Sequence, residues 1–252
     1  MIENYWDDDA RRLGDWLTGA GLELVVVRAH AGEPVPASLD GYAALVVLGG
    51  DQHVYPGPDD EPGALWFADL EALLRTAVRE RVPTLGICLG AQLLATAHVG
   101  TVAPAEAGPE IGAELVARRD AADRDPLFAK VPMLPDVIQW HHDEVAELPI
   151  GAVLLATSTN HPHQAFRIGD RAWGLQFHIE CDTAMIAGWA EEAEAELREL
   201  GRTRDEVVSG VDAIMDDMAE VWQPFAARFA WLAKGELEAS TGTGRELPLL
   251  GH

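Results

Sequence analysis

At 252 residues the chain is long enough to bury one sizeable core, most simply one α/β domain with an appendage. Its 18 Lys and Arg against 42 Asp and Glu give a formal charge of −24, a poor match to nucleic acid or an anionic membrane surface. No apolar run approaches the roughly 20 residues that a spanning helix needs, no signal peptide precedes Trp6-Asp-Asp-Asp9, and two cysteines make no disulfide framework, so a reducing cytoplasm is the expected compartment.

In chain order, Met1-Ile-Glu-Asn4 leaves room for only a short first strand, unless a longer one begins upstream. A helix follows around Arg11–Thr18, then strands at Leu22–Arg28 and Ala43–Leu48, the second ending in the Gly49-Gly50 turn. Trp66, Leu70, Leu73, Leu74 and Ala77 recur at helical spacing within Ala64–Val78. Val82–Ile87 reads as a strand and Leu89–His98 as a helix. Gly151–Thr157, Gln164–Ile168 and Ala172–His178 read as strands, separated by turns at Asn160-His-Pro162 and Gly169-Asp170. This alternation predicts a mainly parallel sheet covered by helices on both faces. Strand ends carrying Gly50, Cys88 and His178 then converge at one edge, where open α/β folds bind ligands.

Beyond Glu180 the composition shifts. Asp182–Leu200 reads as an acidic helix ended by Gly201. Val207, Val211, Ile214, Met215 and Met218 line one helical face, and Val221, Phe225, Phe229 and Leu232 line that of a following helix. The expected organisation is a catalytic domain over residues 1–200, a helical extension over 201–239 and a loose tail over 240–252. The plainer expectation is that the extension packs on the domain; a homodimer or partner surface is the alternative.

The most informative segment is Gly86-Ile-Cys-Leu-Gly90, a nucleophile-elbow spacing with sulfur in place of the usual hydroxyl. A sharp strand-to-helix turn pushes Cys88 out of the sheet, and the start of the helix favours thiolate over thiol. Far downstream, His178 and Glu180 are two apart in an expected strand and so share a face. The carboxylate can fix the imidazole tautomer and leave the other nitrogen to deprotonate Cys88.

With Leu48-Gly-Gly50, Gly86-Ile-Cys-Leu-Gly-Ala-Gln92, Glu110-Ile-Gly112, Trp140-His-His-Asp-Glu-Val145 and Gln176-Phe-His-Ile-Glu180, the chain resembles the triad-type, class I glutamine amidotransferases. Within them it is similar to stand-alone proteins like the glutaminase domain of guanosine monophosphate synthetase. The resemblance spans about residues 10–200 and implies a flavodoxin-like α/β fold. It implies Cys88 as nucleophile, His178 as base and Glu180 as its partner. The amides of Gly50 and Leu89 would form the oxyanion hole, and Gly49, Gln92 and His142 would contact substrate. Three positions depart from the common pattern: Ala91 for His, Asp51 for Pro and Ile179 for Pro. Asp51 sets a negative charge beside the expected oxyanion hole, either turned to solvent or, the favoured expectation, holding the Gly-Gly loop back from Cys88 as a brake.

The chemistry implied is hydrolysis of the γ-amide of glutamine, or of a γ-glutamyl amide, through a glutamyl thioester, with no metal or organic cofactor. Three functions follow: a glutaminase subunit feeding a separate synthetase, a γ-glutamyl peptidase or hydrolase acting alone, or a binding protein that keeps the fold. The acidity would suit a cationic acceptor such as an amine, but strong acidity more often reflects solubility or the host's proteome. His141-His-Asp-Glu144 resembles a metal cluster, but consecutive side chains cannot all face one ion. His161 and His163 read as solvated turn residues and Cys181 as a small packed one. Gly49-Gly50 is not a phosphate loop, since no Gly-Lys-Ser/Thr follows.

Overall fold

The computed structural model describes residues 1–57 and 63–238, so the tail expected at 240–252 lies outside the described residues. The chain runs β1 (Ile2–Glu3), α1 (Arg11–Gly19), β2 (Val27–Arg28), β3 (Leu45–Val47), α2 (Phe67–Glu80), β4 (Thr84–Ile87) and α3 (Leu89–Thr96). It continues through β5 (Thr101–Pro104), β6 (Glu110–Leu115), β7 (Ala117–Arg118), β8 (Asp136–His141), β9 (Asp143–Glu147) and β10 (Val153–Thr157). The last elements are β11 (Ala165–Ile168), β12 (Ala172–Leu175), α4 (Thr183–Glu192), α5 (Glu194–Glu199) and α6 (Arg204–Ala233).

Eight strands form the central sheet in the order β2-β1-β3-β4-β12-β11-β10-β7. Pairing is parallel from β2 across to β12 and antiparallel from β12 to β7. Leu45 and Val47 face one core, with Leu70, Leu74 and Leu93 from α2 and α3. Val46 and Leu48 alternate onto the other, with Leu13 and Leu17 of α1, Ile186 of α4 and Phe229 of α6. The helices therefore cover both faces, and β3, β4 and β12 read as near-continuous apolar runs because they are buried on both sides.

The expected strand over 22–28 shortens to Val27–Arg28. Its partner β1 offers only two residues of ladder, so the pairing stops where β1 stops. Leu22 and Leu24 still pack against the core as partly buried side chains. The acidic helix over 182–200 divides at Ala193 into α4, capped by the Asp182 side chain accepting from the Met185 amide at 2.8 Å, and α5. The two helices expected after Gly201 are one. Its start is fixed by a Thr203/Glu206 capping box, and it passes through Pro224 without ending.

Helix α6 belongs to the core rather than standing off it. Trp222 is fully buried, its ring lies 5.1 Å from Phe177, and its Nε1 donates to the Asp136 carbonyl at 2.9 Å. Two small antiparallel ribbons, β5–β9 and β6–β8, had no counterpart in the sequence reading. An isolated bridge, with the His178 amide donating to the Ile138 carbonyl at 2.8 Å, ties β8 to the main sheet. Among the described residues no helix is long and apolar enough to cross a membrane.

Candidate active site

Cys88 sits between β4 and α3 with φ +49° and ψ −110°, a conformation that costs a non-glycine residue about 1–3 kcal/mol. The surrounding packing imposes it. A Cβ on Gly86 would lie 2.5 Å from the Gly90 carbonyl oxygen, and one on Gly90 would lie 2.1 Å from that of Val47. The flanking glycines are thus required by close approach of strand and helix. The Cys88 amide donates to the Leu175 carbonyl at 2.7 Å, while the amides of Leu89 and Gly90, in the first helical turn, have no carbonyl four residues back. The thiol is 3.9 Å from the Trp140 carbonyl and 3.8 Å from Gln176 Nε2.

His178 and Glu180 lie past the end of β12, not within a strand as expected, yet they meet. His178 Nδ1 donates to Glu180 Oε1 at 2.5 Å, and Glu180 Oε2 accepts from the Ile179 amide at 2.9 Å. Both side chains are buried, and His178 Nε2 has no hydrogen-bond partner among the described residues. Burial disfavours the imidazolium, but the Glu180 carboxylate and the nearby Cys181 and Cys88 sulfurs outweigh it and raise His178 well above its ordinary value. An imidazole so poised can hold a proton between a thiol and a leaving group.

One further acid stands at this site that the motifs did not point to. Asp8, in the loop after β1, is 2% exposed, and its Oδ1 has no hydrogen-bond partner among the described residues. Burial, then repulsion from Glu180, push its carboxyl up to about 8, although His178 opposes the shift. A Cβ on Gly49 would fall 2.1 Å from Asp8 Oδ2 and 3.2 Å from His178 Cε1, so Gly49 is needed to let these two side chains close over the loop. Its position at the end of a short parallel strand was the only sequence signal for Asp8.

Two cavities share Gly50, Asp51, Cys88 and Trp140 and form the halves of one cleft. One, of about 330 Å³, is walled by His178, Asp8, Tyr5, Trp189 and Glu192. The other, of about 450 Å³, is walled by Gln52, His53, Gln92, His141, His142 and Asp143. In the second half Gln92 Nε2 donates to the Asp143 carbonyl at 3.2 Å and to Gln176 Oε1 at 3.3 Å. Asp143 is also bonded by His53 at 2.5 Å and by the Tyr55 hydroxyl at 2.8 Å.

Cys88, His178, Gly50, Gln92 and His142 therefore reach one cleft, with Glu180 and Gly49 immediately behind it. Asp51 is exposed at the mouth of the cleft and makes no side-chain hydrogen bond among the described residues. His141 turns inward to Glu110 at 3.1 Å while His142 turns outward to Glu196 at 2.5 Å, so these neighbours do not share a ligand. His161 is buried against Glu110 at 3.1 Å, and its Nε2 donates to the Gly108 carbonyl at 3.0 Å, so it does not lie in solvent as expected. Donor atoms of His178, Glu180 and Cys181 lie within 4.8 Å of one another. They fit a metal poorly: the His178 Nδ1 is already spent on Glu180, and burial followed by Glu180 pushes the Cys181 thiol well up, away from the thiolate a metal requires.

Residues 13–184 match the family described as glutamine amidotransferase class-I. The chain is 31% identical over 185 residues to a glutamine amidotransferase-like protein, YfeJ, of Salmonella typhimurium, covering 72% of this chain and 75% of that one. It is 30% identical to gamma-glutamyl peptidase 4 of Arabidopsis thaliana, over 58% of this chain and 57% of the peptidase. It is 40% identical to a glutamine-hydrolysing GMP synthase of Thermomicrobium roseum, but over only 47% of this chain and 22% of the synthase. A crystal structure of a glutamine amidotransferase from Thermotoga maritima superposes with a TM-score of 0.80 at 25% identity, over 91% of this chain and 96% of that one. The elbow, the sheet order and these matches agree, and the chain belongs to the class I glutamine amidotransferase family.

Proposed function

We propose that the protein is a thiol-dependent amidohydrolase that cleaves the γ-amide of glutamine or of a γ-glutamyl amide. The observation that carries this reading is Cys88, held at positive φ on the elbow, opening into the same cleft as a His178 whose far nitrogen is tied to Glu180. The Cys88 sulfur attacks the γ-carbonyl carbon while the amides of Gly50 and Leu89 receive the oxyanion. Each such donor is worth about 10²–10³ in rate. His178 passes its proton to the leaving nitrogen, and then draws one from the water that hydrolyses the thioester. Glu180 keeps the imidazole oriented throughout, and Gln92, with Gly49 and His142 nearby, holds the glutamyl end.

A second reading, a free-standing γ-glutamyl peptidase or hydrolase, is favoured by one observation. Ammonia needs little space, yet the half of the cleft beside His178 measures about 330 Å³. A substituted amide would use that room. The chain spans about a fifth of the synthase it matches, at 22%. A reducing cytoplasm suits a catalytic thiol.

The test is a panel of glutamine and γ-glutamyl amides, followed by mass spectrometry for glutamate, with Cys88→Ala as the control. Glutamate release that depends on Cys88 is expected, and faster from substituted amides than from glutamine. Equal release by Cys88→Ala, or none from any member of the panel, would overturn the reading.

A further inference from the structure

The two halves of the cleft differ in what they leave unsatisfied. Asp7 and Asp9 share Arg11, at 3.7 and 3.0 Å, whereas Asp8 between them turns inward, unpaired at Oδ1 and 2% exposed. It faces a space walled by Tyr5, Trp140 and Trp189, the two indole rings 5.6 Å apart, with Asp51 and Glu192 exposed at the rim. No Lys or Arg lines this half among the described residues. Aromatic faces and a buried carboxyl together are the recognition chemistry of an organic cation with an apolar stem. A buried acid without a partner is costly unless a ligand supplies one.

His178 lines this half and Gln92 lines the other, so the bound amide has a fixed polarity across Cys88. The leaving nitrogen and whatever it carries must lie beside Asp8. Resting on the hydrolase reading above, we infer that the substrate is a γ-glutamyl amide of a cationic amine, an α,ω-diamine or polyamine, with Asp8 reading its distal ammonium. The bond from Cys88 Sγ to the γ-carbonyl carbon forms first, and the C–N bond breaks as the tetrahedral oxyanion collapses, with the proton on His178 going to the departing nitrogen. Water then releases glutamate from the thioester, and the diamine leaves with its distal ammonium intact. The methylenes between the two nitrogens lie against the Trp140 and Trp189 faces. Asp8 is raised by burial, by Glu180 and by Asp9 and Asp7, and is opposed by His178. An entering ammonium therefore displaces its proton near neutral pH.

The test compares kcat/KM for the mono-γ-glutamyl amide of 1,4-diaminobutane with that of its neutral isostere, γ-glutamyl-n-pentylamide. A charge-assisted contact contributes about 1.5–3 kcal/mol, so the diamine amide should be preferred by roughly 10- to 100-fold, and Asp8→Asn should bring the ratio close to one. An equal or inverted ratio in the unaltered protein, or a preference that survives in Asp8→Asn, would overturn the inference while leaving the hydrolase intact. Calorimetry on Cys88→Ala keeps the question open to an answer if Asp8→Asn fails to fold or if no amide is hydrolysed. Tighter binding of the diamine amide than the pentylamide, with proton release near pH 7, is expected. Equal binding, or binding without proton release, overturns the inference. Loss of all turnover with that binding preserved would instead count against the hydrolase reading alone.

Discussion

The half of the cleft around Gln92 is cross-bonded: Gln92 to Asp143 and Gln176, Asp143 to His53 and Tyr55, His142 to Glu196. The half around Asp8 has an unpartnered buried carboxyl facing aromatic walls. A pocket whose polar groups already satisfy one another is rigid and suits a constant piece of substrate. A pocket with an unpartnered buried acid is specific for whatever meets it. Cys88 stands at the seam, so chemistry common to a family and selectivity particular to one chain can be separated by only a few ångströms.

The largest effect expected is at the seam. Cys88→Ala should lower glutamate release by about 10⁴-fold or more, and Glu180→Gln by about 10²–10⁴-fold, read as kcat on any γ-glutamyl substrate. Comparable loss from Cys181→Ala would move the nucleophile elsewhere.

Next comes a change that should leave the selectivity of the Asp8 half untouched. Gln92→Ala should raise KM by about tenfold for cationic and neutral amides alike, because it removes a contact made in ground and transition state equally. A shift in their ratio would mean that the two halves are not independent.

Asp8 also leaves a mark on stability. Its carboxyl rises from 3.8 to about 8 on folding, so across that interval the native protein binds the extra proton. Its contribution is most favourable at the acid end and is lost as pH climbs toward 8. Asp8→Asn should remove that decline, so denaturant unfolding of the variant should gain on the parent as pH rises from 5 to about 8. Parallel pH profiles would show Asp8 to be ionised already.

The smallest effect belongs to Asp51. Exposed and screened at the mouth, it should change partner-free glutaminase turnover by less than about twofold when replaced by Pro or Asn. A large rise on Asp51→Pro would restore the brake.

The elbow and the His-x-Glu pair were legible because their constraints are local: two glycines two residues either side of a cysteine, and a carboxylate two residues from an imidazole. The parallel half of the sheet was legible for a similar reason, since strands buried on both faces are continuously apolar. Asp8 was not. Its environment is built by Gly49, His178 and Glu180, which come from distant parts of the chain, and in sequence it is one of three consecutive aspartates. The ribbons over residues 101–147 were hidden by short, half-exposed strands, with Gly112 at φ +95° interrupting any alternation. The single α6 was read as two because its apolar stripe drifts along 30 residues, and only the packed Trp222, Phe225 and Phe229 show it to be continuous.

The central claim is that Cys88 takes up the glutamyl group. Acid-quenching the protein during turnover of a γ-glutamyl amide and measuring its intact mass, followed by peptide mapping, tests it most directly. A glutamyl adduct is predicted on the peptide that carries Cys88, absent from Cys88→Ala, and formed no more slowly than glutamate is released. Glutamate released with no adduct at any quench time, or an adduct on Cys181, would contradict the account.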